Sequence, residues 1–223
     1  MPQAYINYYK KSLEIIEKVK VLPKKPRLLL HACCGPCACW PLRFLTPYFE
    51  VTIYFNNSNI YPEREYDRRL GELQKLLGYF KEDYGEDVSL IITSYDNDAY
   101  NKDLEPLANE PEGGKRCMVC YHKRMKQAYD YAEANGYDYF TTVMSISRQK
   151  DSQILNAIGK ELESSHPNTK YFYSDFKKAK GIDTGREMRL HYNLYNQLYC
   201  GCKYTYEKGL EKAKEKGILD WKG

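Results

Sequence analysis

The residues of this sequence best suited to chemistry are its eight cysteines, which fall into three groups along the 223-residue chain. The groups are Cys33, Cys34, Cys37 and Cys39, then Cys117 and Cys120, and finally Cys200 and Cys202. The N-terminal residues contain no apolar stretch typical of a signal peptide, and no segment has the length and apolarity of a membrane span. We therefore expect a cytoplasmic protein. In that reducing compartment, grouped cysteines indicate metal or redox chemistry rather than structural disulfides.

The middle group has metal-ligand spacing. Cys117 and Cys120 form a C-x-x-C at the start of a predicted helix, where the helix N-terminus favours thiolates. Together with two thiolates of the first group, they provide four ligands, enough for a [4Fe–4S] cluster or a tetrahedral zinc ion. The adjacent Cys33 and Cys34 favour the cluster, because neighbouring residues rarely direct two sulfurs at one small ion. Buried thiols without a metal are the third interpretation.

The last group, Cys200-Gly201-Cys202, has the pattern of a redox-active pair. A disulfide across one intervening residue closes a tight ring, and glycine supplies the backbone freedom that this ring needs. Strain in such a bond raises its reduction potential, which makes it labile and suited to electron transfer. Two ordinary thiols, or two further metal ligands, are the alternative interpretations.

Strands and helices alternate along the chain, and this order predicts how the cysteines are positioned. Strand patterns cover residues 27–32, 50–56, 89–93, 139–143 and 170–174. Helical patterns cover residues 5–20, 38–47, 62–84, 96–108, 116–135, 149–163, 184–197 and 203–216. The alternation predicts an α/β fold, a three-layer sandwich with a mostly parallel sheet. We expect residues 1–25 to form an N-terminal helical extension and residues 26–223 a single α/β catalytic domain, with the first cysteines in the ligand-binding position after the first strand.

Six motifs in this order resemble those of the QueH-type epoxyqueuosine reductases. They are LLLHACCGPC, NIYPEREYDRRL, RCMVCYHKRM, FTTVMSISRQKD, YSDFKKAKGI and YNQLYCGC, and they extend over about residues 27–206. The resemblance implies an oxidoreductase that reduces the epoxide of epoxyqueuosine in tRNA to queuosine. It also implies a fold related to the adenine-nucleotide hydrolase and PP-loop (HUP-like) group.

The resemblance assigns roles to most of the cysteines. It implies that Cys33, Cys34, Cys117 and Cys120 bind a [4Fe–4S] cluster and that Cys200 and Cys202 form a redox pair beside it. A second metal, an iron ion, is expected next to the cluster, with Cys37 as its candidate ligand. No family role falls to Cys39, which we interpret as a buried thiol. Arg148 stands where many relatives have proline, which puts the conformation of that loop in question.

Other residues follow from the chemistry that the resemblance implies. Epoxide reduction requires protons, for which His31 and Asp175 are candidate donors; a core histidine and a helix cap or salt bridge are the alternative interpretations. The net charge of +4 permits contact with RNA. Candidate phosphate contacts are Lys177, Lys178, Lys180, Arg186, Arg189 and Lys203. Cations that flank the C-x-x-C serve either the substrate or the negative charge of the cluster: Arg116, Lys123, Arg124 and Lys126.

Two rival functions fit the same sequence. One is a thiol oxidoreductase or sulfur-transfer enzyme that uses Cys200 and Cys202 without a cluster. The other is a zinc-stabilised RNA-binding protein without catalysis. The partners expected for the reductase are tRNA carrying epoxyqueuosine and an unidentified electron donor.

Overall fold

The computed structural model describes residues 5–218. Residues 1–4 of the predicted N-terminal extension and residues 219–223 of the predicted catalytic domain lie outside the described residues. The strands are β1 (Arg27–His31), β2 (Glu50–Phe55), β3 (Ser89–Ile92), β4 (Tyr139–Thr142) and β5 (Lys170–Tyr171). The helices before β4 are α1 (Tyr8–Val19), α2 (Gly35–Leu45), α3 (Glu63–Tyr84), α4 (Asn97–Asn101) and α5 (Lys115–Ala134). Those after β4 are α6 (Ser152–Glu163), α7 (Gly181–His191) and α8 (Tyr206–Glu215).

All five strands are parallel and lie in the order β3-β2-β1-β4-β5. The central strand β1 pairs with β2 from Arg27 opposite Glu50, and with β4 from Leu28 opposite Tyr139. The chain leaves β1 in one direction towards β3 and returns to the other side of β1 with β4. This reversal creates a switch point between the carboxyl ends of β1 and β4, where doubly wound sheets bind their ligands.

Helices cover both faces of the sheet, because the strand residues are apolar on both sides. Leu28 and Leu30 belong to one buried cluster and Leu29, which points the other way, belongs to a second. All three leucines are fully buried, as expected for a strand inside a parallel sheet. The predicted α/β class, the three layers and the parallel sheet are thus confirmed.

The start of α2 is fixed by close contact with α3. A Cβ atom at Gly35 would lie 2.6 Å from the backbone oxygen of Glu72, so only glycine allows this approach. Pro36 occupies the first turn of α2, where its missing N–H removes no hydrogen bond. The helix therefore begins at Gly35, three residues before the predicted start.

Three further predicted elements differ from the observed ones. The predicted helix over residues 96–108 is the short α4 followed by a 3₁₀ turn at Glu105–Leu107, whose Pro106 has no N–H to extend an α-helix. The predicted helix over residues 184–197 begins at Gly181 and ends at His191, and Asn193 has a φ of +46°. The predicted strand over residues 170–174 is only Lys170–Tyr171. Within residues 5–218, no helix is both long and apolar enough for a membrane span.

The N-terminal segment contacts α6. The backbone N–H of Ile6 donates to the side-chain oxygen of Gln153 at 3.1 Å, and the Gln153 amide donates to the Ile6 carbonyl at 2.8 Å. The predicted boundary after residue 25 stays a prediction.

Candidate active site

Three thiols meet in the loop that follows β1. The sulfur atoms of Cys33, Cys34 and Cys37 all lie within 4.8 Å of one another, the only such group of potential metal ligands in residues 5–218. The first two sulfurs are 3.8 Å apart. The amide of Gln197 donates hydrogen bonds to Cys34 at 3.1 Å and to Cys37 at 3.4 Å. The three thiols together form a site that can bind a metal ion.

The three thiols share one negative charge. Hydrogen bonds from Cys34 and Cys37 hold the pKa of Cys33 well below its usual range; burial opposes this effect, and the cations of Arg124 and Lys150 add to it. The same hydrogen bonding raises the pKa of Cys37 to about 12 and raises that of Cys34 well above its usual value. A metal that binds all three thiolates must therefore displace protons from two of them.

The C-x-x-C group lies in the first turns of α5. The backbone N–H of Gly113 donates to the Cys117 sulfur at 3.2 Å, and the Tyr100 hydroxyl donates to the Cys120 sulfur at 3.2 Å. Both cysteines are buried, and burial raises the pKa of Cys120. Their sulfurs do not belong to the group within 4.8 Å. The four predicted cluster ligands therefore lie in two places: Cys33 and Cys34 follow the carboxyl end of β1, and Cys117 and Cys120 lie at the start of α5.

The third group follows α7 in a loop. Cys200 and Cys202 are free thiols here, and the backbone of the intervening Gly201 has a φ of +116°. A hydrogen bond from Cys202 holds the pKa of Cys200 well below its usual range, although burial opposes this shift. The same bond and burial raise the pKa of Cys202. The pair therefore consists of one readily ionised thiol and one protonated thiol.

One buried cation acts on all three cysteine groups. The positive charge of Arg124 lowers the pKa values of Cys33, Cys120 and Cys200, although for each thiol another effect on the pKa is larger. Its guanidinium donates to Asn57 at 2.7 Å and lies 3.1 Å from Nε2 of His31. Within residues 5–218, no carboxylate lies within ion-pair distance of this side chain. A buried arginine of this kind requires negative charge nearby, which the thiolates supply.

The thiols of the first and third groups face one small cavity of about 120 Å³. Its lining includes Cys33, Cys37 and Cys200, together with the cations Arg69 and Lys150. Burial opposes the charge of Lys150, but the surrounding thiolates, that of Cys200 foremost, raise its pKa. This arrangement, which we call the thiol cavity, places nucleophilic sulfur and positive charge around the same space.

The two predicted proton donors lie outside the lining of the thiol cavity. His31 is fully buried; its Nδ1 contacts the Thr142 hydroxyl at 2.8 Å, and burial followed by Arg124 holds its pKa well below the usual value. Asp175 is also buried, and its carboxylate lies 3.4 Å from both the backbone nitrogen and the ammonium of Lys177. Their role as proton donors stays a prediction.

Several of the predicted RNA-binding and cluster-flanking cations have partners within the protein. Lys177 donates to the carbonyls of Ser145 and Lys150, and Lys203 pairs with Glu105 at 3.5 Å. The cations near the C-x-x-C behave in the same way. Arg116 binds backbone carbonyls, while Lys123 pairs with Asp103 and Lys126 with Asp130. By contrast, Arg186 and Arg189 line a pocket beside Cys37.

Sequence reasoning missed Arg69, Lys150 and Gln197 as parts of the site. The spacing of Glu65 and Arg69 signals an ion pair on a helix, but such pairs usually lie on the surface. Here both side chains are almost fully buried. Gln197 belongs to a quoted motif, yet its contact with the first cysteine group depends on a loop that was predicted as helix.

Comparison with known proteins identifies the family. A family model described as epoxyqueuosine reductase QueH matches residues 28–208, a range that contains all eight cysteines. The chain is 37% identical to the epoxyqueuosine reductase QueH of Staphylococcus epidermidis over 210 residues, which are 93% of this chain and 88% of that protein. The proteins of that name from Streptococcus pyogenes and Staphylococcus aureus are each 36% identical, over 97% and 92% of this chain and 82% and 86% of theirs. The chain therefore belongs to the QueH family of epoxyqueuosine reductases.

Proposed function

We propose that this protein reduces the epoxide of epoxyqueuosine in tRNA to give queuosine, and that it does so with a [4Fe–4S] cluster and the thiols of Cys200 and Cys202. The observation that carries this proposal is the thiol cavity, which Cys33, Cys37 and Cys200 line together with the cations Arg69 and Lys150. We also propose a cytoplasmic location, which is consistent with a tRNA substrate.

The cluster ligands in this proposal are Cys33, Cys34, Cys117 and Cys120. A thiolate-bound cluster carries negative charge. The positive charge of the buried Arg124, which has no carboxylate partner among the described residues, would balance part of it. Ligands of one metal ion lie close together, since zinc–sulfur bonds are about 2.3 Å long, whereas ligands of a four-iron cluster bind separate irons. The separation of the C-x-x-C from the first cysteine group therefore fits a cluster better than one ion.

A second metal is proposed beside the cluster, with Cys37 as a ligand. The sulfur of Cys37 belongs to the group within 4.8 Å and also lines the thiol cavity. A metal in this position would be accessible to a substrate that enters the cavity. When bound, the metal centre would supply single electrons and a Lewis acid.

The thiols of Cys200 and Cys202 can supply the electrons and protons that reduction of the epoxide consumes. Loss of the epoxide oxygen leaves an alkene and water, which requires two electrons and two protons. Oxidation of the thiols of Cys200 and Cys202 to a disulfide releases two electrons and two protons, so atoms and electrons balance. An external electron donor must then reduce the disulfide before the next turnover. The low pKa of Cys200 favours the thiolate that starts such chemistry.

The test is an anaerobic assay of the reduced protein with tRNA that carries epoxyqueuosine, followed by nucleoside analysis. We expect queuosine in an amount that depends on the electron donor supplied. The Cys202→Ser variant should keep its iron and sulfide but stop turnover, while Cys39→Ser serves as the control, because that thiol is buried and bonds the Gly35 carbonyl. Absence of queuosine with the unaltered, iron-loaded protein would contradict the proposal. One zinc per chain, with no iron or sulfide, would instead favour the zinc-stabilised RNA-binding protein.

A further inference from the structure

A second pocket of about 560 Å³ adjoins the thiol cavity. The two spaces share Cys37, Gln197 and two residues of the loop before α6, Ser147 and Gln149. The volume lies within the range of about 300–1,000 Å³ that is common for ligand sites. We call this space the arginine pocket, because three arginines line it: Arg148, Arg186 and Arg189.

The three arginines create an uncompensated positive charge. Within residues 5–218, none of them has a carboxylate within 4.0 Å. Guanidinium groups around one pocket repel each other unless an anion lies between them. The planar donors of arginine match a phosphate group well.

Tight packing between helices brings two of the arginines to Cys37. At Gly181, a Cβ atom would lie 2.5 Å from the indole nitrogen of Trp40 in α2, so α7 can approach α2 closely there. At Gly185, one turn further along α7, a Cβ atom would be in ordinary van der Waals contact, 3.5 Å from the Trp40 Cβ. Arg186 follows directly in the same helix, and the pocket therefore rests on two packed helices rather than on mobile side chains alone.

The remainder of the lining suits a nucleotide base. Ile146 and Ile182 provide an apolar wall for the face of a ring. Gln197 lies between the two pockets: its amide nitrogen donates to the thiols of Cys34 and Cys37, while its Oε1 atom is buried without a hydrogen-bond donor in residues 5–218. A ligand N–H or O–H group would provide the missing partner.

We infer that the arginine pocket binds the nucleotide that is reduced, with its flanking phosphodiesters on Arg148, Arg186 and Arg189, so that the modified side chain of the base enters the thiol cavity past Cys37. This inference rests on the proposed function and assigns its RNA-binding surface. The site separates recognition of the RNA backbone from the sulfur chemistry next to it.

The test measures tRNA binding as a function of salt for Arg148→Gln, Arg186→Gln and Arg189→Gln. The probe is tRNA that carries epoxyqueuosine. Each lost phosphate contact should weaken binding and reduce the slope of log K against log salt by about 0.7–1. In the assay of the intact, iron-loaded protein, KM for the tRNA should rise more than kcat falls, because the arginines contact the backbone and not the reacting atoms.

The matched control is Lys160→Gln, which removes the same charge from an exposed side chain. Lys160 lies in the last turn of α6 and belongs to the lining of neither the arginine pocket nor the thiol cavity. If the unaltered protein reduces epoxyqueuosine but the three arginine variants have the same salt slope and KM as Lys160→Gln, the inference is wrong and the proposed function stands. Equal competition by a free nucleoside monophosphate would also overturn it. If the unaltered protein binds the tRNA with the expected slopes but yields no queuosine, the proposed function fails and the binding site stands.

Discussion

The guanidinium of Arg69 donates a hydrogen bond of 3.0 Å from Nη1 to the backbone carbonyl of Cys200. Its Nη2 atom donates to the Tyr199 carbonyl at 3.1 Å, and its Nε atom donates to the buried carboxylate of Glu65 at 2.7 Å. One side chain of α3 thus holds the loop that carries the third cysteine group. Because α3 also contacts Gly35 at the start of α2, this helix sets the position of two cysteine loops.

Replacement of Arg69 should destabilise the fold strongly. In Arg69→Met, the fully buried carboxylate of Glu65 loses its ion-pair partner and keeps, among the described residues, only the hydrogen bond from the Tyr195 hydroxyl. Removal of one partner of a buried ion pair costs about 3–5 kcal/mol in free energy of unfolding. Denaturation by urea, followed by circular dichroism, measures this loss.

The control is Arg68→Met on the same helix. Arg68 is exposed and stacks on the ring of Tyr195 at 3.5 Å, so its loss should cost at most about 1 kcal/mol. The double variant Glu65→Gln with Arg69→Met should recover part of the stability, because no charge remains buried without a partner. Equal stability of the two single arginine variants would contradict the importance of the buried pair.

Replacement of Gly201 by alanine should disturb the contact between the Arg69 side chain and the loop that carries Cys200. The backbone φ there is +116°, and a Cβ atom would lie 2.8 Å from Nη1 of Arg69. We expect a cost of about 1–3 kcal/mol in free energy of unfolding and a loss of turnover. Gly85→Ala is the control: its φ of +66° is also positive, but a Cβ there would have no atom of residues 5–218 within 4 Å. A larger loss for Gly85→Ala would show that Arg69 does not restrict Gly201.

Serine at Cys117 should remove the iron–sulfur cluster. Serine binds iron poorly, and the remaining three thiolates hold the cluster incompletely. Iron and sulfide content of the anaerobically purified protein, together with its visible absorbance, measures the effect. Cys39→Ser should retain a full cluster. A full complement of iron and sulfide in Cys117→Ser would refute the proposed ligand set.

The reactivity of Cys200 should depend on Cys202. The hydrogen bond from Cys202 lowers the pKa of Cys200, so Cys202→Ala should raise that pKa. A thiol reacts as its thiolate, so as the pH falls the alkylation rate declines once the pH passes the pKa. We expect the decline to begin at higher pH in the variant, near the ordinary thiol value of about 8.5. Mass spectrometry of the reduced, alkylated protein gives the rate at Cys200; identical pH profiles would contradict the assigned cause.

Much of the site could be predicted from cysteine spacing and strand order. Cys33 and Cys34 directly follow an apolar strand, and the carboxyl ends of parallel strands are where such folds bind ligands. The C-x-x-C at a helix start and the glycine between Cys200 and Cys202 are local patterns that need no tertiary contact to be recognised. The quoted motifs likewise indicated the family.

Loop boundaries and long-range pairings could not be predicted. The helix that was predicted to extend to residue 197 ends at His191. Gln197 therefore lies in a loop and contacts Cys34 and Cys37, which are 160 or more residues away in sequence. In the same way, the Glu65–Arg69 pair has the spacing of a surface ion pair but is buried under the Cys200 loop.

The sequence by itself determined the chemical inventory of this protein, three cysteine groups on an alternating α/β chain, because residue type and local spacing express those features directly. Only the tertiary structure decided which charges act on the thiols: that of Arg124 on Cys33, Cys120 and Cys200, those of Arg69 and Lys150 in the thiol cavity, and those of the arginine pocket beside Cys37. Burial and contact between distant segments create these relationships, and neither quantity is a property of a short stretch of sequence.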